Sequence, residues 1–299
     1  MFLKHLLPSM SLKQYYLVIY FLFVFVLLNL TSQGQTTNLT KTDTLSILVD
    51  NHNMFLYISG KGIYTVVMEA GLGANHNCWK AVDTAIAKRA RVITYDRPGY
   101  LKSDSCTKTR DAITISRELR EALTKANISP PYIMVGWSLG GAFVRVFAGM
   151  YPNDVKGLIL VDPAPEESYE RFSKESPESL SEDSVYLAEV LSSKRTGEKG
   201  EVIAFDSSMN QARISDNRYS IPTKLLIASY GKAPGKYIQE PLHPINRIWT
   251  EELIKWAEKK QNVEYTIVEK SGHHIAKDRP NVITNAILEL IEKIKQEND

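Results

Sequence analysis

A single α/β domain built on a largely parallel sheet is the fold class this sequence predicts, and three observations carry that expectation. Short apolar runs alternate with longer stretches of three- and four-residue apolar spacing between residues 44 and 294, the signature of strands joined by crossover helices. One polar segment interrupts the alternation without ending it, which fits one domain with an elaborated loop rather than two domains. A strand also runs straight into a helix through the turn Gly136-Trp137-Ser138-Leu139-Gly140. The composition, 43% hydrophobic and 23% charged, is that of an ordinary globular chain. A net charge of +2 offers no basic stripe for nucleic acid.

The N-terminus stands apart from this pattern. Lys4, His5 and Lys13 precede an apolar run from Tyr15 to Leu30, broken only by Asn29, and Ser32-Gln33-Gly34 follows with small residues where a signal peptidase reads them. Residues 1–34 are expected to be a signal peptide cleaved before Gln35, because a run of sixteen mostly apolar residues falls short of the roughly 20 that span a bilayer, with an uncleaved membrane anchor as the alternative. Either way the remainder is expected to be exported, secreted or periplasmic, with membrane contact only through this segment. Residues 35–44 read as a linker, and the domain is expected over 45–299. Export makes Cys78 and Cys106 candidates for a disulfide, with two free or buried thiols as the equal alternative.

Thr44–Val49 and Met54–Ser59 read as an opening pair of strands, and Tyr64–Met68 as a buried one. A helix is expected over Ala81–Ala87, then a strand over Val92–Tyr95. Ile113, Ile115, Leu119 and Leu123 lie on one helical stripe within Ile113–Ala126 and should cover the sheet. The strand Tyr132–Val135, the helix Leu139–Met150 and the strand Gly157–Val161 follow. Residues 163–220 are polar and unevenly patterned, with Glu166, Glu167, Glu170, Glu175, Glu178, Glu182 and Asp183, and are expected to form an inserted lid. The alternation resumes with strand Thr223–Ala228, helix Thr250–Lys259, strand Val263–Val268 and a closing helix Val282–Ile294.

The turn at 136–140 is the sharpest chemical signal. Turning abruptly from strand to helix strains the serine backbone, and glycines on both sides remove side chains that would strike neighbouring elements. Ser138 is thereby presented as a nucleophile, and the Leu139 amide at the helix start can stabilise a developing negative charge. A serine hydroxyl needs a base to take its proton. Of six histidines, His273 has the strand-to-loop setting for that role, after Val263–Val268 and beside the small Gly272, with His274 as its packing neighbour. For the orienting carboxylate, Asp162 directly follows the strand Gly157–Val161, Glu166 is the backup, and a plain turn residue is the other reading of Asp162.

Four stretches together resemble the α/β-hydrolase fold family across about Leu45 to Ile294: Met68-Glu69-Ala70-Gly71-Leu72-Gly73, Tyr95-Asp96-Arg97-Pro98-Gly99-Tyr100, the serine turn, and Ser271 to Pro280. The resemblance implies an α/β-hydrolase fold with helices on both sheet faces, and a second oxyanion donor, the Leu72 amide, beside that of Leu139. Glu69-Ala70 stands where many members carry His-Gly, which changes how that loop is braced. Asp96-Arg97-Pro98-Gly99 is expected to be structural, the aspartate capping a tight turn. Many members place the acid after the strand matching Thr223–Ala228, where this chain has no carboxylate, and some place it one strand earlier. A serine nucleophile argues against the dehalogenase and epoxide hydrolase branches, which attack with aspartate. The expected activity is cofactor-free and metal-free hydrolysis of a small-molecule acyl substrate: an ester, thioester, lactone or amide. The lid's acids and lysines disfavour long-chain lipid. An aminopeptidase, a carbon-carbon hydrolase and a non-catalytic binding protein are the alternatives, and nothing in the sequence specifies an oligomeric state.

Overall fold

The computed structural model describes residues 42–177, 185, 188–193, 195–229 and 244–298. The N-terminal segment 1–34, its cleavage point and residues 35–41 of the expected linker lie outside them. Among the described residues no helix is long and apolar enough to cross a membrane.

Eight strands form one sheet in the order β1-β2-β4-β3-β5-β6-β7-β8. β1 (Asp43–Val49), β2 (His52–Ser59) and β4 (Arg91–Asp96) pair antiparallel in succession. β4, β3 (Thr65–Glu69), β5 (Tyr132–Trp137), β6 (Val155–Val161), β7 (Thr223–Ala228) and β8 (Val263–Val268) run parallel. β1 thus begins two residues before the expected domain boundary.

The inner strands are continuous apolar runs because both faces of the sheet are covered, as in parallel sheets generally. Alternate residues feed two cores. Val66, Met68, Ile133, Val135, Ile159 and Val161 face a cluster completed by α1 (Lys80–Ile86) and the long C-terminal helix, here α9 (Pro280–Asn298). Val67, Met134, Leu158, Leu160, Leu225 and Ile227 face the other, closed by α2 (Ala112–Lys125), α3 (Leu139–Met150) and α7 (Pro244–Glu258).

The described part of the lid carries α4 (Ser168–Glu175), α5 (Thr196–Ile203) and α6 (Phe205–Ser215). α6 buries Met209 and Ala212 with Ala112, Ile115, Phe143 and Val146 of α2 and α3. Its polar side chains also serve the α2 N-terminus, where the first amides have no intrahelical acceptor. Ala112 N donates to Ser208 Oγ at 3.1 Å, Ile113 N to Gln211 Oε1 at 3.0 Å, and Thr114 N to the N-cap Asp111 at 2.9 Å. The insertion is therefore locked onto the domain by buried polar contacts, which is why it lacks a clean apolar stripe. The short α8 (Ile275–Asp278) follows β8.

Cys78 and Cys106 are both free, against the disulfide alternative. Cys78 packs on the first core, and burial pushes its thiol up to about 12. Cys106 sits instead with His52 and Glu118, in separate surroundings.

Candidate active site

The order of strands reverses around β3, which pairs with both β4 and β5, and open α/β sheets bind ligands beyond the carboxyl ends of strands at such a point. Ser138 lies there, between β5 and α3, with φ 54° and ψ −125°. Strain of this kind costs about 1–3 kcal/mol and persists only where the surroundings over-determine it. Here they do. Ser138 N donates to Val161 O on β6 at 3.2 Å, while its carbonyl accepts from Gly141 N at 2.9 Å and Ala164 N at 3.1 Å. The flanking glycines are required by contact: a Cβ at Gly140 would stand 2.6 Å from Ala70 O and 2.7 Å from Glu69 O, and one at Gly136 would strike Gly140 O.

Asp162, at the end of β6, is fully buried and has φ 43°, a backbone that aspartate tolerates better than most residues. Its N–H donates to Leu226 O at 2.7 Å, and its Oδ1 accepts from Ala228 N at 3.0 Å. Oδ2 accepts from His273 Nδ1 at 2.7 Å. The carboxylate thus ties β6, β7 and the loop after β8 together, and Asp162 is more than a turn residue. Glu166, the backup, is paired with buried Arg145 instead.

His273 is half-buried between two indoles, with its ring 5.4 Å from that of Trp137 and 5.2 Å, edge-on, from that of Trp249. Trp137, the residue before Ser138, donates its Nε1 to the His273 carbonyl at 2.8 Å and so fastens the histidine loop to the serine turn. His274 is the packing residue expected, stacked on Trp137 at 4.5 Å, and burial holds its imidazole below the ordinary 6.5. The left-handed residue in this loop is Lys270, at φ 57°, rather than Gly272, whose N–H is pinned by Asp278 Oδ2 at 2.9 Å.

The loop after β3 passes directly against the serine. A Cβ on Gly71 would lie 3.1 Å from Ser138 Cβ, and Gly73 takes φ 70°. Leu72 lies between them, half-buried against the cluster that contains Leu139.

One residue that contacts the loop beside the serine was missed in the sequence. Arg97 is 3% exposed and donates to Ala70 O and Gly71 O, both at 2.8 Å. It also binds Glu69 Oε1 at 2.5 Å and grips Glu201 of α5 through Nε at 2.6 Å and Nη2 at 3.0 Å. Burial alone would weaken its charge, but Glu201 and Glu69 hold the guanidinium well above its ordinary range. Burial raises the Glu69 carboxyl, against the pull of Arg97. Tyr95 donates to Glu69 Oε2, and Tyr100 donates to Glu201 Oε2 at 2.8 Å. Glu69 is thus the brace that replaces the expected histidine. Asp96 does not cap its own turn: its carboxylate accepts from Tyr57 Oη at 2.9 Å and from His76 Nδ1 at 2.7 Å.

Among the described residues, His52, Cys106 and Glu118 also converge, with ligand atoms within 4.8 Å of one another. Arg110 already occupies both Glu118 oxygens, at 2.7 and 2.8 Å, and would repel a cation there.

Residues 64–193 match the family profile described as alpha/beta hydrolase fold. The uncharacterised protein YqjL of Bacillus subtilis is 34% identical over 105 residues, 35% of this chain and 42% of that one. A pimeloyl-acyl-carrier-protein methyl ester esterase of Hamiltonella defensa is 33% identical over 113 residues, 38% of this chain and 41% of that one. These matches span less than half the length of either relative. A solved thermophilic esterase from Thermogutta terrifontis shares the fold at a TM-score of 0.58 and 18% identity, covering 84% of this chain and 99% of its own. The profile match and the shared sheet show that this chain has the α/β-hydrolase fold.

Proposed function

We propose that the protein is a serine hydrolase that cleaves a small ester or related acyl compound through an acyl-enzyme. The observation that carries this reading is the 2.7 Å contact between Asp162 and His273 Nδ1, made beside a strained serine turn. With Nδ1 donating to a carboxylate, Nε2 is left as the basic nitrogen. Ser138 Oγ attacks the substrate carbonyl carbon and passes its proton to His273 Nε2. The carbonyl oxygen becomes an oxyanion held by the amides of Leu72 and Leu139. Collapse expels the alcohol, which takes the proton from His273, and water then hydrolyses the acyl-serine by the same route in reverse. Asp162 orients the imidazole and stabilises its cation.

The esterase relatives favour an ester over an amide. An aminopeptidase needs a lid carboxylate free to hold the substrate amine. Among the described lid residues, Glu201 is held by Arg97, Glu198 is paired with Arg195 at 2.9 Å, and Glu166 is paired with Arg145. Export, on the basis of residues 1–34, is part of the proposal.

The test is fluorophosphonate labelling of residues 35–299 beside Ser138→Ala, with p-nitrophenyl acetate and butyrate turnover measured in parallel. Labelling and turnover in wild type that vanish in the variant support the assignment. A folded wild type that neither labels nor turns over these esters sinks it and favours a binding protein.

A further inference from the structure

We propose that Arg97 is a positioning residue that orients and polarises one oxyanion donor, the Leu72 amide, through the peptide bond joining Gly71 to Leu72. The inference rests on the serine-hydrolase reading above and extends it to a residue that touches neither substrate nor triad. The carbonyl that accepts from Arg97 Nη2 belongs to Gly71, and the N–H of that same peptide unit is Leu72 N. A cation donating to a carbonyl draws electron density through the amide resonance and leaves the N–H more positive, and such chains strengthen cooperatively in a low-dielectric interior. Arg97 Nη1 fixes the preceding carbonyl, Ala70 O, at 2.8 Å, so two successive peptide planes are held from behind.

The guanidinium is itself immobilised. Its five N–H groups are matched by Ala70 O, Gly71 O, Glu69 Oε1 and the two oxygens of Glu201. Glu201 comes from α5, and the same helix packs tightly on the Arg97 turn: a Cβ on Gly99 would stand 2.2 Å from Gly197 N, and one on Gly197 would stand 2.7 Å from Pro98 O. The lid helix therefore sets the arginine, and the arginine sets the oxyanion loop. Catalysis gains most from donors preorganised before charge develops, and besides Arg97 this loop is fixed, among the described residues, only by a turn bond from Ala74 N to Gly71 O and by Gly73 N donating to Tyr100 Oη, both at 3.2 Å.

A lysine retains the charge but offers only three donors from one point, and cannot hold both carbonyls and both Glu201 oxygens. Arg97→Lys is compared with wild type for p-nitrophenyl acetate turnover, inhibition by trifluoroacetone, whose adduct with the serine is an oxyanion, and thermal unfolding. Arg145→Lys, a buried arginine paired outside the site, is the control for general loss of stability. Deleting a whole oxyanion donor costs about 10²–10³-fold in kcat, so weakening one is expected to cost about 10–100-fold. KM should stay within about threefold, trifluoroacetone binding should weaken in parallel with kcat, and Arg145→Lys should keep its kcat. Should Arg97→Lys fail to fold, Glu201→Gln loosens the same grip and is expected to lower kcat and trifluoroacetone affinity together. A folded Arg97→Lys, or in its place Glu201→Gln, with wild-type kcat overturns the inference while leaving Ser138 standing. A wild type inert to fluorophosphonate and ester removes both readings together.

Discussion

Asp162→Asn separates the proposed mechanism from a merely structural role for this carboxylate. In the wild type Oδ1 accepts from Ala228 N at 3.0 Å and Oδ2 accepts from His273 Nδ1 at 2.7 Å. An asparagine must turn its carbonyl toward the Ala228 amide, because its NH₂ would meet that N–H head-on. Its NH₂ then faces His273, so Nδ1 must become the acceptor and Nε2 must carry the proton. That tautomer cannot take a proton from Ser138. A tautomer error of this kind in a serine triad lowers kcat about 10⁴-fold, or about 5 kcal/mol of transition-state stabilisation. Stability should change little, since asparagine keeps the Ala228 bond and also tolerates the φ of 43°. Asp162→Ala, by contrast, leaves the Ala228 N–H buried and unpaired, at about 1–3 kcal/mol, and should melt several degrees lower. The assay is p-nitrophenyl acetate turnover at pH 8 with thermal unfolding in parallel. Asp162→Asn retaining more than a tenth of wild-type kcat refutes the assignment of the acid.

Gly140→Ala should lower both activity and melting temperature, by about 1–3 kcal/mol of overpacking, because its methyl meets the backbone oxygens of Glu69 and Ala70 ahead of the oxyanion loop; unchanged values for both would show that the turn has slack the contact distances do not allow. Unfolded protein that has never seen reductant should take up two equivalents of maleimide, and native protein should protect Cys78, whose thiol is pushed up to about 12; fewer than two equivalents on unfolding would mean that a disulfide exists. His274 is held below its ordinary 6.5 by burial, so on acidification the unfolded chain binds this proton first and stability falls as pH drops below about 6.5. His274→Phe, which keeps a ring on Trp137, should melt with a shallower dependence between pH 7.5 and 5.5, and an unchanged slope would remove His274 as its source.

The elements that could be read from the sequence are those whose burial is uniform. Leu139–Met150 and Thr223–Ala228 fall where expected, because a glycine turn marks the start of the first and an apolar run the second. The helix before β8 starts at Pro244, six residues ahead of the expected Thr250, and Ile245, Ile248 and Trp249 carry its apolar stripe through the added turns, with Ile248 fully buried. The lid helices escaped because their buried faces are partly polar: Glu198, Glu201 and Ser208 are each less than 4% exposed, and Glu201 and Ser208 are satisfied by Arg97 and the Ala112 amide, about a hundred residues away. Arg97 was invisible for the same reason. Its two carboxylate partners lie 28 and 104 residues away, and local pattern carries no information about such pairings.

Asp162 was visible as a carboxylate at a strand end but ambiguous as an acid, and the sheet order explains why β6 can supply it. The serine leaves β5 and the histidine returns from β8, so two strands stand between them. At about 4.8 Å per strand, β8 lies about 14 Å from β5, more than one imidazole and one hydroxyl can bridge from their own strand ends. The loop after β8 must therefore fold back over β7 to bring His273 to the end of β6. Asp162 uses the Ala228 amide at the end of β7 to fix its own orientation while accepting from the returning histidine. In the proposed triad the acid thus comes from β6, and β7 supplies the hydrogen bond that orients it.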